Sequence, residues 1–249
     1  MELSLEVIRI MSAKPAFLID LDDTLLVCGT HYEDTKQKFY EYMTRFGLSV
    51  EEVKYRFSWL ELHRKMRPDL TFQHYFPDNM VKLYHEWCLE KAQAAVPEIE
   101  NEIKAIGYSV YACDFRPIEG AHEMLDSLYK DFTLYLFTKG EEEIQSKKIL
   151  IADMDEYFKG VWITDRKTVK VLTKFMLDNE LNVKTTWVLG NSPKSDILPP
   201  YEIGVPVHQL IWIDSYTWEE DRAPLPDGVH KIQTLDEVLP ITKKVVVPV

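Results

Sequence analysis

The chain has 249 residues, of which 46% are hydrophobic and 12% aromatic, and this composition supports a packed core and argues against intrinsic disorder. The formal net charge of −12 argues against a nucleic-acid-binding surface, which requires clustered lysine and arginine. The three cysteines lack metal-ligand spacing, the N-terminus is unlike a secretory signal, and no apolar run reaches about 18 residues. These features predict a cytoplasmic protein without a membrane segment.

The first predicted strand is Ala16–Ile19, an apolar run typical of a parallel strand that is buried on both faces. It leads directly into Asp20, Asp22, Asp23 and Thr24. The carboxyl end of such a strand is where an open α/β sheet binds its ligand. Neighbouring carboxylates repel each other unless a cation or a proton intervenes. Asp20 and Asp22 therefore predict a divalent metal site, and hard oxygen ligands favour Mg²⁺.

The next stretch, from about His31 to Tyr108, has helical periodicity and almost no strand-like runs. The predicted helices are Glu33–Phe46, a segment that begins after Ser49 and ends near Pro68, Asp78–Ala95 and Glu98–Ile106. Gly47 suits the end of the first helix, and Ser49 with Glu52 forms a capping box for the second. We therefore expect a small helical bundle, residues 29–109, inserted into a core domain made of residues 1–28 and 110–249.

From Arg116 onward, predicted helices and strands alternate. The helices are Gly120–Tyr129, Glu141–Leu150 and Thr168–Leu181, and the strands are Phe132–Phe137, Val161–Ile163, Thr186–Leu189 and Val207–Ile213. Such alternation requires a parallel sheet that is covered by helices on both faces. Because the first strand belongs with this sheet, the predicted fold class is α/β, a Rossmann-like parallel sheet with an inserted α-helical domain.

Polar residues also follow the later strands. Thr138, Lys139 and Gly140 end the strand Phe132–Phe137, and a hydroxyl with backbone N–H groups at this place can donate to phosphate oxygens. Lys167 follows the third strand, and Lys170 is the alternative basic residue about one helical turn later.

These residues resemble, in order, the motifs of the haloacid dehalogenase-like (HAD) hydrolase superfamily. Asp20-x-Asp22-x-Thr24 is similar to the first motif, Thr138 to the second and Lys167 to the third. The resemblance extends over nearly the whole chain, and each motif lies at a predicted strand end.

The fourth motif of the superfamily is Gly-Asp-x-x-x-x-Asp, whose acids hold the metal. Gly190 and Asp196 match it, whereas Asn191 replaces the first acid. An asparagine offers a carbonyl oxygen but no charge. The resemblance therefore implies that Mg²⁺ is held mainly by Asp20, the backbone carbonyl of Asp22 and Asp196, with Asn191 as a neutral donor.

The implied activity is Mg²⁺-dependent hydrolysis of a small-molecule phosphate monoester through an aspartyl-phosphate intermediate. The implied site residues are the nucleophile Asp20, the general acid and base Asp22, the charge-neutralising Lys167, and the substrate-binding Thr138, Lys139 and Gly140. A small phosphorylated metabolite is compatible with the acidic composition, because a metal and one lysine set the local field.

Three alternatives stay open: a phosphomutase, a haloacid dehalogenase, and a non-catalytic phosphate-binding protein. The family's dehalogenases lack the second acid, since no alcohol has to be protonated, so Asp22 favours a phosphatase over a dehalogenase. By resemblance, the helical insertion is a cap that closes over the site and selects the substrate. The substrate, the cap residues that contact it and the oligomeric state stay open.

Overall fold

A computed structural model describes residues 14–63, 72–218 and 221–245. The chain forms two compact units: Cys28–Phe115 is one, and the described residues on either side of it form the other. The sequence placed the second boundary after residue 109. The structure places it after Phe115, because Val110 and Phe115 are buried and the Tyr111 ring packs edge-on against Tyr32, with 6.4 Å between the ring centroids. The role of residues 29–109 as a cap stays a prediction.

The first unit, Cys28–Phe115, is helical and has an aromatic core. Its helices are α1 (Gly29–Met43), α2 (Val50–Leu62), α3 (Phe72–Glu90) and α4 (Pro97–Tyr108). Gly47 adopts a φ of 80° after the turn that follows α1, and the Ser49 hydroxyl accepts a hydrogen bond from the Glu52 N–H at 3.1 Å, so α2 begins where the capping box predicts. The predicted end of α2 near Pro68 lies outside the described residues.

Helix α3 begins before the predicted Asp78 and contains Pro77, although proline is usually unfavourable inside a helix. The helices α3 and α4 approach closely at Pro77, because a Cβ atom on Gly107 would lie 2.6 Å from the Pro77 Cβ. No helix in the described ranges is both long and apolar enough to cross a membrane.

The second unit is built on a six-stranded parallel sheet, ordered β3-β2-β1-β4-β5-β6. Its strands are β1 (Ala16–Ile19), β2 (Thr133–Lys139), β3 (Gly160–Thr164), β4 (Trp187–Gly190), β5 (Leu210–Ile213) and β6 (His230–Ile232). All residues of β1 and β4 are buried, as expected for central strands that are covered on both faces. The strand order reverses between β1 and β4, and an open α/β sheet binds ligands at the carboxyl edge of that switch point. The α/β prediction is confirmed.

The helices of this unit are α5 (Ala121–Asp131), α6 (Glu142–Ile151), α7 (Val169–Asp178), α8 (Leu198–Glu202) and α9 (Val238–Val245). A five-residue π-helical turn, Pro193–Ile197, precedes α8. The Thr168 hydroxyl caps α7 by accepting a hydrogen bond from the Val171 N–H at 3.3 Å. Strand β5 is shorter than predicted because Val207–Gln209 forms a 3₁₀ turn before it.

Candidate active site

Three buried charged side chains meet at the switch point of the sheet. The Lys167 ammonium donates to the Asp20 Oδ1 and, at 2.6 Å, to the Asp196 Oδ1. The exposed fractions of the Lys167, Asp20 and Asp196 side chains are 2%, 9% and 3%. Because a buried charge is costly unless it is paired, this constellation is held by its own ion pairs. Lys170, the alternative lysine, is exposed.

Burial dominates the protonation of Asp20. It raises the pKa of the Asp20 carboxyl from 3.8 to about 7, while Lys167 lowers this pKa and the Asp196 carboxylate raises it. For Lys167, burial opposes the charged form, but the Asp196 and Asp20 carboxylates prevail and raise the pKa of the ammonium above its usual value. Lys167 is therefore a fixed positive charge, and further positive charge near Asp20 favours its ionised form.

A tight turn follows β1 and brings a hydroxyl back to Asp20. The backbone N–H groups of Thr24, Leu25 and Leu26 all donate to the Leu21 carbonyl, and Asp23 adopts a φ of 58°. As a result the Thr24 hydroxyl lies 3.0 Å from the Asp20 Oδ2. The turn fixes one oxygen of the Asp20 carboxylate while Lys167 fixes the other.

Asp22 lies in the same turn but has different partners. The Lys148 ammonium contacts both oxygens of its carboxylate, at 2.8 and 2.9 Å. The Gln145 Nε2 lies 3.2 Å from the Asp22 Oδ2 and 2.8 Å from the Thr138 Oγ1. Gln145 thereby links Asp22 to Thr138.

Gln145 and Lys148 were not predicted from the sequence. Both are buried on α6, together with Ile149, so polar side chains occupy the inward face of this helix at helical spacing. Two polar residues three positions apart, next to the apolar Ile149, are the sequence feature that could have indicated Gln145 and Lys148.

Asn191 follows β4 and is held by β5 and the loop after it. The Asn191 Nδ2 donates to the Tyr216 carbonyl at 2.5 Å. The backbone carbonyl of Asn191 accepts from the Trp212 Nε1 and the Thr217 hydroxyl, at 2.7 and 2.9 Å. Its Oδ1 lies 3.4 Å from the Thr24 hydroxyl, which also contacts Asp20. The amide oxygen of Asn191 therefore faces the same hydroxyl as the Asp20 carboxylate.

Gly190 allows Asp196 to reach the site. A Cβ atom at position 190 would lie 2.4 Å from the Cβ and Cγ of Asp196, so no larger residue fits without a shift of this loop. The Asp196 Oδ2 accepts a hydrogen bond from the Ser192 N–H at 2.8 Å, which fixes the carboxylate opposite Lys167. The glycine of the predicted fourth motif thus has a steric role.

The contacts of Asn191 give the first prediction. We expect Asn191→Asp to destabilise the fold by about 1–3 kcal/mol, because a carboxylate oxygen would face the Tyr216 carbonyl in place of the amide N–H that donates to it. Chemical denaturation measures this loss. Asn182→Asp is the matched control, because the Asn182 Oδ1 only has to accept from the Lys184 N–H, at 2.9 Å, and a carboxylate can do the same. Equal stability of the two variants would contradict the prediction.

Two residues expected to bind substrate have other partners. The Lys139 ammonium lies 3.3 Å from the Asp221 Oδ2. The Gly140 N–H donates to the Thr164 carbonyl at 3.0 Å, so it extends the pairing of β2 with β3 by one residue. Thr138 is fully buried, and its hydroxyl contacts Gln145. In the predicted phosphate-binding segment, the Thr138 side chain contacts Gln145, which in turn contacts Asp22.

The donors around Asp20 fit a hard divalent cation. Asp20 and Asp196 offer carboxylates and Asn191 offers an amide oxygen, and the motif resemblance would add the backbone carbonyl of Asp22. Within the described residues, no three His, Cys, Asp or Glu side chains form a cluster that could hold a metal ion. A cation here would rest on two carboxylates and on neutral oxygens, a donor set that suits Mg²⁺.

No protein-family model and no curated protein matches this sequence. Solved structures do match it. A haloacid dehalogenase-like family hydrolase from Xanthomonas campestris gives a TM-score of 0.76 at 17% identity, over 93% of this chain and 91% of that chain. A protein described as the HAD-hydrolase YfnB from Bacillus subtilis, bound to magnesium, gives a TM-score of 0.65 at 16% identity, over 93% of this chain and 100% of that chain.

A protein described as a phosphoglycolate phosphatase from Haemophilus somnus gives a TM-score of 0.60 at 13% identity, over 93% of this chain and 99% of that chain. The matching structures also include proteins described as a 2-haloacid dehalogenase and a β-phosphoglucomutase. The architecture is thus shared by proteins that carry out different reactions, and the reaction has to be inferred from the site. The resemblance found in the motifs is confirmed at the level of the fold. The chain has the fold of the haloacid dehalogenase-like hydrolases.

Proposed function

We propose that this protein is a Mg²⁺-dependent phosphatase that hydrolyses a small phosphate monoester through an aspartyl-phosphate on Asp20. The observation that carries the proposal is the buried constellation of Asp20, Lys167 and Asp196, with Asp22 in the same turn as Asp20. A carboxylate beside a fixed ammonium can attack a phosphorus atom, because the ammonium offsets the repulsion between two anions.

In the first step, an Asp20 oxygen forms a bond to phosphorus while the bond between phosphorus and the ester oxygen breaks. The electron pair stays on the ester oxygen, which takes a proton from the Asp22 carboxyl and leaves as an alcohol. In the second step, a water oxygen bonds to phosphorus, its proton goes to Asp22, and the bond between Asp20 and phosphorus breaks. Lys167 holds negative charge on the phosphoryl group, and the Thr138 hydroxyl orients one of its oxygens.

Asp20, Asp196, Asn191 and the backbone carbonyl of Asp22 would hold Mg²⁺. When bound, the ion supplies charge neutralisation for the phosphoryl oxygens. The positive charge of Lys167 provides part of the same neutralisation from the protein itself. The magnesium-bound structure of the YfnB protein supports this assignment by similarity of fold.

Asp22 supports the phosphatase over the dehalogenase alternative. A halide leaves as an anion without taking a proton, whereas an alkoxide needs one. Lys148 and Gln145 both contact the Asp22 carboxylate, so two buried side chains hold a residue that dehalogenation does not require.

We propose that the helical unit, Cys28–Phe115, selects the substrate, a small phosphorylated metabolite. A cytoplasmic location agrees with the three cysteines, which are thiols and not disulfides in the described residues.

Turnover of p-nitrophenyl phosphate tests the proposal. We expect the wild-type protein to release phosphate in the presence of Mg²⁺, to lose most of this activity in excess EDTA, and to regain it when Mg²⁺ is added back. Chloride release from 2-chloropropionate should stay at background. Chloride release without phosphate release would assign the dehalogenase reaction, and phosphate binding without turnover would assign the non-catalytic alternative.

A further inference from the structure

A lysine that the superfamily motifs do not include contacts the residue proposed to move the proton. The Lys148 side chain is only 4% exposed, and its ammonium lies within 2.9 Å of both oxygens of Asp22. A lysine on the buried face of a helix is costly unless it is paired, and an apolar residue would fill that place at less cost. Its position beside Asp22 therefore requires an explanation in terms of function.

Gln145 restrains Asp22 from a second direction. Its Nε2 lies within 3.3 Å of the Asp22 Oδ2, the Thr138 Oγ1 and the Lys139 carbonyl. Gly140 packs directly over it, because a Cβ atom at position 140 would lie 2.8 Å from the Gln145 Cγ and Cδ. The amide group of Gln145 thus has little room to move, and it sets the separation between Asp22 and Thr138.

We propose that Lys148 and Gln145 are positioning residues that hold the Asp22 carboxyl group beside the Thr138 hydroxyl, where the ester oxygen of the substrate leaves. This role depends on the phosphatase activity proposed above. The proton still passes between Asp22 and the ester oxygen in the first step and between water and Asp22 in the second, and neither Lys148 nor Gln145 takes part in a bond change. A displacement of about 1 Å in such a group costs on the order of 100-fold in rate.

The leaving group distinguishes positioning of Asp22 from a general structural role. p-Nitrophenolate is a good leaving group and needs little protonation, whereas the alkoxide of glycerol 2-phosphate needs a proton as it leaves. Misplacement of Asp22 therefore slows the alkyl substrate more than the aryl substrate. A general loss of structure would slow both equally.

The experiment compares Lys148→Met with Lys147→Met, its exposed neighbour on α6, at saturating Mg²⁺. For Lys148→Met we expect kcat/KM on glycerol 2-phosphate to fall about 10- to 100-fold more than kcat/KM on p-nitrophenyl phosphate, because kcat/KM reports the step in which the ester oxygen leaves and not the later attack of water. Lys147→Met should leave both rates unchanged. Lys148→Arg should restore part of the alkyl rate, because its guanidinium can contact both carboxylate oxygens.

Gln145→Leu provides a second variant in case Lys148→Met does not fold, and we expect the same excess loss on the alkyl substrate. Equal losses on the two substrates, or no loss, in a variant whose thermal unfolding matches the wild type would overturn the inference. If the wild-type protein itself releases no phosphate from p-nitrophenyl phosphate, the proposed function fails. Turnover by the wild type with equal losses in the variants rejects the positioning role alone.

Discussion

Asp20→Asn is expected to lower kcat for p-nitrophenyl phosphate by at least about 1,000-fold, the largest effect of any single substitution in this protein. The side-chain amide keeps the volume of Asp20 but cannot attack phosphorus. The amide oxygen can still accept from Lys167, and Lys167 keeps its contact with Asp196 at 2.6 Å. Because this substitution also removes a buried carboxylate, we expect the free energy of unfolding to change by no more than about 1–2 kcal/mol.

Steady-state phosphate release and chemical denaturation of the same sample separate the two effects. Asp165→Asn is the matched control, because Asp165 is an exposed aspartate two residues before Lys167. It should retain wild-type turnover and stability. An Asp20→Asn variant that is folded and retains more than about a tenth of the wild-type rate, far more than loss of a nucleophile permits, would show that another residue attacks the substrate.

Lys167→Met is expected to affect stability and activity together. The Lys167 side chain pairs with two buried carboxylates, so its loss leaves Asp20 and Asp196 facing each other without a cation. Removal of one partner of a buried ion pair costs about 3–5 kcal/mol. Loss of a fixed donor to the reacting oxygens costs a further factor of about 100 to 1,000 in kcat.

The stability deficit of Lys167→Met should depend on pH with a defined sign. The pKa of Asp20 is raised to about 7 even though Lys167 lowers it, so it is higher still in the variant. The folded variant then binds a proton that the unfolded chain, with the ordinary Asp pKa of 3.8, does not bind at neutral pH. Between about pH 4 and about pH 7 Asp20 is protonated in both folded proteins, so the deficit is nearly constant there. Above pH 7 the wild type releases this proton and the variant keeps it, so the deficit grows as the pH rises.

Urea denaturation of the variant and the wild type from about pH 4 to about pH 9 measures how the deficit changes with pH. Lys170→Met is the matched control, because Lys170 is an exposed lysine three residues later, in the first turn of α7. We expect it to match the wild type at every pH. A deficit in Lys167→Met that does not grow above pH 7 would mean that Lys167 does not compensate the buried carboxylates.

The sheet could be predicted from the sequence because its central strands are buried on both faces. Strand β1 lies at Ala16–Ile19, where its uninterrupted apolar run predicts it. Strand β6 was not predicted, because His230–Ile232 has three residues and only Ile232 is buried. No local pattern marks the end of the helical unit at Phe115, because this end depends on how Val110 and Phe115 are buried.

The meeting of Asp20, Lys167 and Asp196 could be predicted because residues at the carboxyl ends of neighbouring parallel strands converge at one edge. The contacts of Asp22 could not. Gln145 and Lys148 are 123 and 126 residues away from it in sequence, in the middle of a helix, where no turn or cap marks them. The Gly140 amide is a similar case: its pairing with Thr164 depends on how far β2 and β3 stay in register.

Direct detection of the phosphorylated enzyme tests the central claim most closely. The wild-type protein is mixed with p-nitrophenyl phosphate and Mg²⁺, quenched in acid during turnover, digested and examined by mass spectrometry. We predict one added phosphoryl group on the peptide that contains Asp20, located on the Asp20 carboxylate and missing from Asp20→Asn. A phosphoryl group on a different residue, or steady turnover by Asp20→Asn under the same conditions, would contradict the assignment of Asp20 as the nucleophile.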